Sequence, residues 1–381
     1  MKILITGCFH SLNTGVMAMV ESIIQQLPND EIYVYTSPKY IEIDRERYSQ
    51  YENVNLVIPP WYLSKKKKNA IIAVTALATG YIHDKKFRNF LSTIDRTYDI
   101  SGDSISSDYG LQSSLLSLAP IAVSNRYTKE SIIAPQSLGP FNHPVLRHFV
   151  KKVVGGADKV FIREPVTSYF LKPLGIKFKE VSDLANLVKE KKLESADFIN
   201  ESYVGIGVSS LLAKHGFENS ESYFKSIIDQ VLNMGHKVYL INHVSYSNIN
   251  DLTFASDLKN KFYKENDNVI FFGENYTSSE WKYIYSKSKC VISARMHPTV
   301  LALSSGTPAL NLSYNHKSLG VVKLKYSPMG DVFSHDGVES ETLKDKLDSF
   351  FYMVDTLPME EKNRLVDLNL RSASKVFQSE L

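Results

Sequence analysis

Short apolar runs closed by glycine or proline alternate with amphipathic stretches along most of this chain. Residues 2–6 (KILIT) form a continuous apolar run ending at Gly7, and 15–27 (GVMAMVESIIQQL) repeat apolar positions at helical spacing up to Pro28. The pattern predicts strand, loop and helix in succession. Further strands are predicted at 31–36, 54–58, 97–101, 131–134 and 159–162, with helices near 112–124 and 144–155. Such alternation specifies a parallel sheet covered by helices, because a parallel strand is reached only through a crossover connection.

A polar, charged stretch at 186–202 interrupts the alternation, and a buried strand restarts it at 203–208 (YVGIGV). Strands then follow at 237–242, 268–272, 289–293 and 308–313, separated by helices near 220–234, 249–264, 278–288 and 297–305. The expected fold class is α/β, with two Rossmann-like domains facing each other across a cleft. Residues 1–190 make the first domain and 200–381 the second, and the last helix is expected to pack back on the first. No repeat of solenoid length is present.

Composition narrows the function. A chain of 381 residues exceeds one comfortable core and fits two domains. Its 44 basic and 41 acidic residues leave a net charge of +3, too little for a field that draws nucleic acid. Cys8 and Cys290 stand far apart with no Cys-x-x-Cys or Cys/His spacing, which argues against a disulfide framework or a zinc site and for a reducing compartment. The start, MKILITGCFH, runs directly into a strand without the apolar core and cleavage site of a signal peptide, so a cytoplasmic protein is expected.

Residues 65–88 stand apart: a lysine run at 65–68, an apolar stretch at 69–82, then Lys85, Lys86 and Arg88. The apolar part falls short of the roughly 20 residues that span a bilayer. A helix packed on the sheet with solvated lysines is favoured over an interfacial helix, which would hold the protein peripherally at the inner face of the membrane.

Three stretches carry chemistry. In 288–317 a predicted strand delivers Arg295 and His297 to its carboxyl end, where open α/β sheets bind ligands and where the free amides of the next helix favour an anion. Pro298 suits that helix's first turn. An arginine clamps an oxyanion through paired hydrogen bonds, and an imidazole exchanges a proton near neutral pH. On this stretch alone, an arginine paired with a carboxylate and a histidine capping the helix remain equally open. In 134–171 the strand at 159–162 delivers Arg163, followed by Glu164, Pro165 and Ser168; by the same argument Arg163 points toward the cleft, and two cleft arginines could share one dianion. In 97–110 a strand ends at Gly102 and Asp103, where the aspartate suits sugar hydroxyls or a base but alone reads as turn chemistry.

Together, in order and spacing, these stretches resemble the polysaccharide pyruvyl transferase family over most of the chain. The matching residues are Asn13-Thr14-Gly15, Ser101-Gly102-Asp103, the 135–140 segment PQSLGP, Arg163-Glu164 with Ser168, and Asp183-Leu184-Ala185. In the second half they are the 293–297 segment SARMH, Gly306 to Pro308, and Ser313-Tyr314 with Lys317. Ser101 replaces a first glycine, and Ser168 falls one residue late. The resemblance implies a GT-B-like fold and transfer of pyruvate from phosphoenolpyruvate to two hydroxyls of one sugar, giving a cyclic ketal. It maps the donor site onto Arg163, Arg295 and His297; the donor's chemistry adds Lys317 as a further donor-binding cation and makes His297 the candidate general acid, while Asn13, Asp103 and Gln136 are the acceptor-side candidates, with Asp103 also a candidate catalytic group. The donor's carboxylate and phosphate call for several fixed cations. Phosphoenolpyruvate is then a co-substrate, no cofactor or metal is expected, and the partner is a sugar acceptor that is lipid-linked, nucleotide-linked or polymeric. A GT-B glycosyltransferase using a nucleotide sugar and a non-catalytic carbohydrate-binding relative are the alternatives.

Overall fold

The computed structural model describes residues 1–62, 66–210, 212, 219–246, 249–313, 316–334 and 342–378. They form two units: Met1–Ser11, Met19–Leu184 and Ala373–Leu381 make the first, and Leu12–Ala18 with Ala185–Ser372 the second. In the first unit the strands are β1 (Lys2–Thr6), β2 (Glu31–Tyr35), β3 (Val54–Val57), β4 (Arg96–Asp99), β5 (Glu130–Gln136), β6 (Lys159–Ile162) and β7 (Lys179–Glu180). Its helices are α1 (Thr14–Gln26), whose first turn is counted with the second unit, α2 (Ile41–Tyr48), α3 (Lys66–Thr79), α4 (Lys85–Leu91), α5 (Leu111–Tyr127), α6 (Pro144–Val153) and α7 (Val166–Leu171).

The seven strands pair in the order β3-β2-β1-β4-β5-β6-β7, all parallel. Central strands of a parallel sheet are covered on both faces and must be apolar throughout. β1 meets that demand, with Ile3, Leu4 and Ile5 fully buried. The chain's last residues return to this unit, where the Phe377 ring lies 5.7 Å from Tyr98.

The second unit holds β8 (Tyr203–Gly207), β9 (Lys237–Ile241), the hairpin strands β10 (Ser245–Tyr246) and β11 (Ile249–Asn250), β12 (Val269–Phe271), β13 (Cys290–Ser293), β14 (Ala309–Ser313) and β15 (Gly330–Ser334). Its helices α8 (Ser220–Asn233), α9 (Asp251–Phe262), α10 (Ser278–Lys287) and α11 (Met296–Leu303) precede Leu343–Thr356 and Met359–Ser374. The main sheet runs β12-β9-β8-β13-β14-β15, again parallel. One face packs Phe224, Ile227, Ile228 and Val231 of α8 with Leu347, Phe350 and Phe351. The other packs Trp281, Ile284 and Tyr285 of α10 with Val300 to Leu303 of α11.

Both sheets are therefore Rossmann-like, as the alternating pattern predicts. Counted within each main sheet, the order is 3-2-1-4-5-6, with β7 added at the edge of the first, and it reverses between β1 and β4 in one sheet and between β8 and β13 in the other. The helix expected within 65–88 is present as α3, with residues 63–65 outside the described set. It packs on α5, with Ala73, Ala76 and Leu77 buried and Val74 exposed. Among the described residues no helix is long and apolar enough to cross a membrane.

His10, in the loop after β1, packs its ring at a tilt against Tyr40, with ring centroids 4.5 Å apart. Burial lowers its pKa from 6.5 to about 4. Between those values the unfolded chain binds more protons than the folded one, so this group's contribution to stability is complete above pH 6.5 and falls as pH drops toward 4. His10→Gln should flatten that part of the pH profile, measured as the wild-type-minus-variant difference in urea unfolding across pH 4–7. An unchanged difference across that window would show that His10 is not held neutral.

Candidate active site

The residues singled out in the second half converge at the carboxyl end of β13, beside the order reversal of its sheet. Ser293 Oγ accepts the Arg295 N–H at 3.0 Å, which turns the chain out of the strand, and Arg295 becomes the N-cap residue of α11. Asn311 on β14 fastens the same turn, its Nδ2 donating to Ser293 O (3.0 Å), Arg295 O (3.2 Å) and Thr299 Oγ1 (3.2 Å). Residues 295–297 are partly exposed between fully buried neighbours, as expected where a strand hands over to a helix at a sheet's edge.

Arg295 forms a forked ion pair with Asp251, Nε to Oδ2 at 3.0 Å and Nη2 to Oδ1 at 2.8 Å. Asp251 is fully buried at the start of α9 and also accepts the Val244 N–H at 3.1 Å. Burial pushes its carboxyl up, and the Arg295 guanidinium offsets part of that rise. Of the readings left open for this stretch, the carboxylate-paired arginine is thus the one observed. A helix-capping histidine is not: α11 has no side-chain cap, and His297 sits inside its first turn.

The loop before α1 completes this site. Thr14 N donates to His243 O (3.0 Å), Ser245 N to Leu12 O (3.1 Å) and Ser278 Oγ to Thr14 O (2.9 Å), so residues 12–14 are laced to the second unit. Asn13 Oδ1 accepts the N–H groups of Gly15 (3.0 Å) and Val16 (3.4 Å), capping α1. Gly15 lies against the His297 ring, and a Cβ there would stand 2.2 Å from Nδ1, so only glycine lets the imidazole take this position. Lys317 is buried just beyond β14, while Tyr314 lies outside the described residues.

The first-unit candidates are placed differently from expectation. Arg163, at the end of β6, is only 2% exposed, and it donates from Nε to Ser137 Oγ (2.9 Å) and from Nη1 to Asp183 Oδ2 (2.8 Å). One guanidinium thereby joins the 135–140, 163–168 and 183–185 segments inside the unit. Glu164 caps α7 through the N–H groups of Val166 and Thr167. Gln136 is fully buried, with Nε2 bonded to Asp99 O (3.0 Å) and Oδ1 (3.1 Å). Asp103 is half-buried on its turn and accepts the Tyr109 hydroxyl at 2.6 Å.

Residues 13–316 match the polysaccharide pyruvyl transferase family. The chain belongs to that family. A curated relative, "Amylovoran biosynthesis protein AmsJ" of Erwinia amylovora, is 22% identical over 207 residues, 49% of this chain. The chain spans about half the length of that relative, 50% of it. Among solved structures, the fold is shared with a putative UDP-N-acetylglucosamine 2-epimerase of Listeria monocytogenes (TM-score 0.60, 9% identity, 99% of this chain and 94% of that one). It is also shared with the glycotransferase of kitacinnamycin (TM-score 0.53, 11% identity, 99% and 98%). This pyruvyl transferase family member therefore has the GT-B-like fold that the resemblance implies.

Sequence reasoning missed Asp251 and Asn311, the residues that hold Arg295. Asp251 looks like an ordinary first-turn acid of α9, and nothing along the chain ties it to an arginine 44 residues later. The pair sets an energetic expectation. Asp251→Asn strands a largely buried guanidinium and should cost about 3–5 kcal/mol in chemical denaturation, whereas Asp251→Leu combined with Arg295→Met should cost clearly less. Equal losses in the two variants would contradict a tightly coupled pair.

Proposed function

We propose that this protein transfers pyruvate from phosphoenolpyruvate to two hydroxyls of one sugar in a polysaccharide or its precursor. The observation that carries this reading is the pairing, at the carboxyl end of β13, of a carboxylate-anchored Arg295 with His297 two residues on, at the amide-rich start of α11. Family membership and the name of the Erwinia relative support it.

In this reading Arg295 and Lys317 meet the donor's carboxylate and phosphate, and the α11 amides add positive potential. His297 delivers a proton to the methylene carbon, turning it into a methyl group and leaving C2 cationic. One sugar hydroxyl bonds to C2, the bond from C2 to the phosphate oxygen breaks, and the second hydroxyl closes the ring. Of the two hydroxyl protons released, one replaces the proton given by the acid and the other leaves with phosphate. Arg163 acts at one remove, by holding the 137 and 183 segments. Asn13 caps a helix and Gln136 is fully buried, so neither is kept as an acceptor contact, while Asp103 is.

Binding of a ligand only to the folded state raises the unfolding temperature. Phosphoenolpyruvate should do so, and UDP- and GDP-sugars should not; the reverse result would replace this reading by nucleotide-sugar glycosyl transfer. His297→Gln should lower phosphate release with a saccharide acceptor by about 10²–10⁴-fold, while the shift given by phosphoenolpyruvate is nearly kept. Near-normal turnover in that variant would assign the proton to another group.

A further inference from the structure

The order reversal in the first unit's sheet has a cavity of its own. About 480 Å³ opens at the carboxyl ends of β1, β2 and β4, reached by Gly7 to Phe9, Tyr35, Ser101 and Ser104. It is a second position of the kind where open parallel sheets bind ligands. Its walls differ. One is aromatic, with Tyr35 and Trp61 5.9 Å apart and edge-to-face, Tyr62 beside them and an exposed Phe9 tilted against Tyr62 at 5.8 Å. The facing wall is one side of α5, bearing Gln112, Ser113, Leu116 and Ser117.

None of the lining residues among those described carries a formal charge, and burial pushes the Cys8 thiol up, keeping it neutral. Phosphoenolpyruvate or a nucleotide diphosphate would find no counter-charge among these residues. The Tyr35 hydroxyl is buried, lines the cavity and has no hydrogen-bond partner among the described residues, a condition that a purely apolar occupant would leave uncorrected. An aromatic wall opposite a hydroxyl and amide wall fits a pyranose ring, whose C–H face packs on rings while its edge exchanges hydrogen bonds.

We infer that this cavity is a binding slot for an uncharged saccharide, which rests on the transferase reading only in making that saccharide the acceptor. The test uses the protein's own reporter. Of its two tryptophans, Trp61 lines the slot and Trp281 is fully buried in the second unit. Methyl glycosides of glucose, galactose, mannose and the N-acetylhexosamines should, without any donor, change tryptophan emission saturably for at least one sugar. The change should vanish in Trp61→Phe. Tyr35→Phe should weaken binding about tenfold, the scale of one lost hydrogen bond. Ser113→Phe, a change on the exposed part of α5 that fills the mouth, should abolish it and leave the thermal shift with phosphoenolpyruvate intact. No response to any glycoside, a response that survives Ser113→Phe, or a response to 1-dodecanol in place of sugars would overturn the inference. Glycoside binding without any effect of phosphoenolpyruvate would instead remove the donor reading and keep the slot.

Discussion

Parallel pairing is the constraint on which the rest depends. A chain that must re-enter a sheet in the same direction has to cross it through a helix each time, and that crossover has one hand. Starting in the middle and winding outward both ways, as each unit does, leaves one place where neighbouring strands send their connections to opposite faces. The connections diverge at that place, so backbone amides, turn residues and side chains at β1/β4 and β8/β13 stand around open space. Arg295, His297 and Gly15 occupy one such place; Tyr35, Trp61 and Ser101 occupy the other.

At both places buried carboxylates do the positioning. Asp251 orients Arg295 at one of them, and away from both Asp183 orients Arg163 at the end of β6. Asp99, buried at the end of β4, accepts from Thr6 Oγ1 (2.9 Å), the Ser101 N–H (3.1 Å) and Gln136 Nε2, so three neighbouring strands or their turns share one acceptor. Such arrangements are weak stabilisers, since desolvation consumes much of the Coulomb attraction. Their return is directional: a guanidinium held by two bonds has few orientations left, which spares a ligand that ordering cost.

Much of this is legible along the chain because it depends on local periodicity. The strands 2–6, 203–207 and 290–293 are short apolar runs in a helix-rich setting, and the strand-to-helix turn at Arg295 follows from where one period gives way to the other. What stays hidden is pairing across distance. β15 (GDVFS) is a short edge strand with too few apolar positions to show, and Asp99 reads as part of a strand end. The aromatic slot draws on residues 7–9, 35, 61–62 and 101–120, which no window of sequence brings together. Asn13 shows the opposite error: its place near the amino terminus suggests the first domain, whereas its hydrogen bonds and its bridge to Val244 belong to the second unit.

That crossing has an evolutionary side. The chain passes from one unit to the other at 11/12, 18/19, 184/185 and 372/373. A single recombination near the middle of the gene, the simplest way to trade one half for a relative's, would therefore carry a foreign 12–18 loop to the His297 ring, where a Cβ at position 15 has no room. Exchange of halves is filtered by a glycine about 280 residues from the histidine it accommodates, so the two segments should descend together even where the rest of each half diverges.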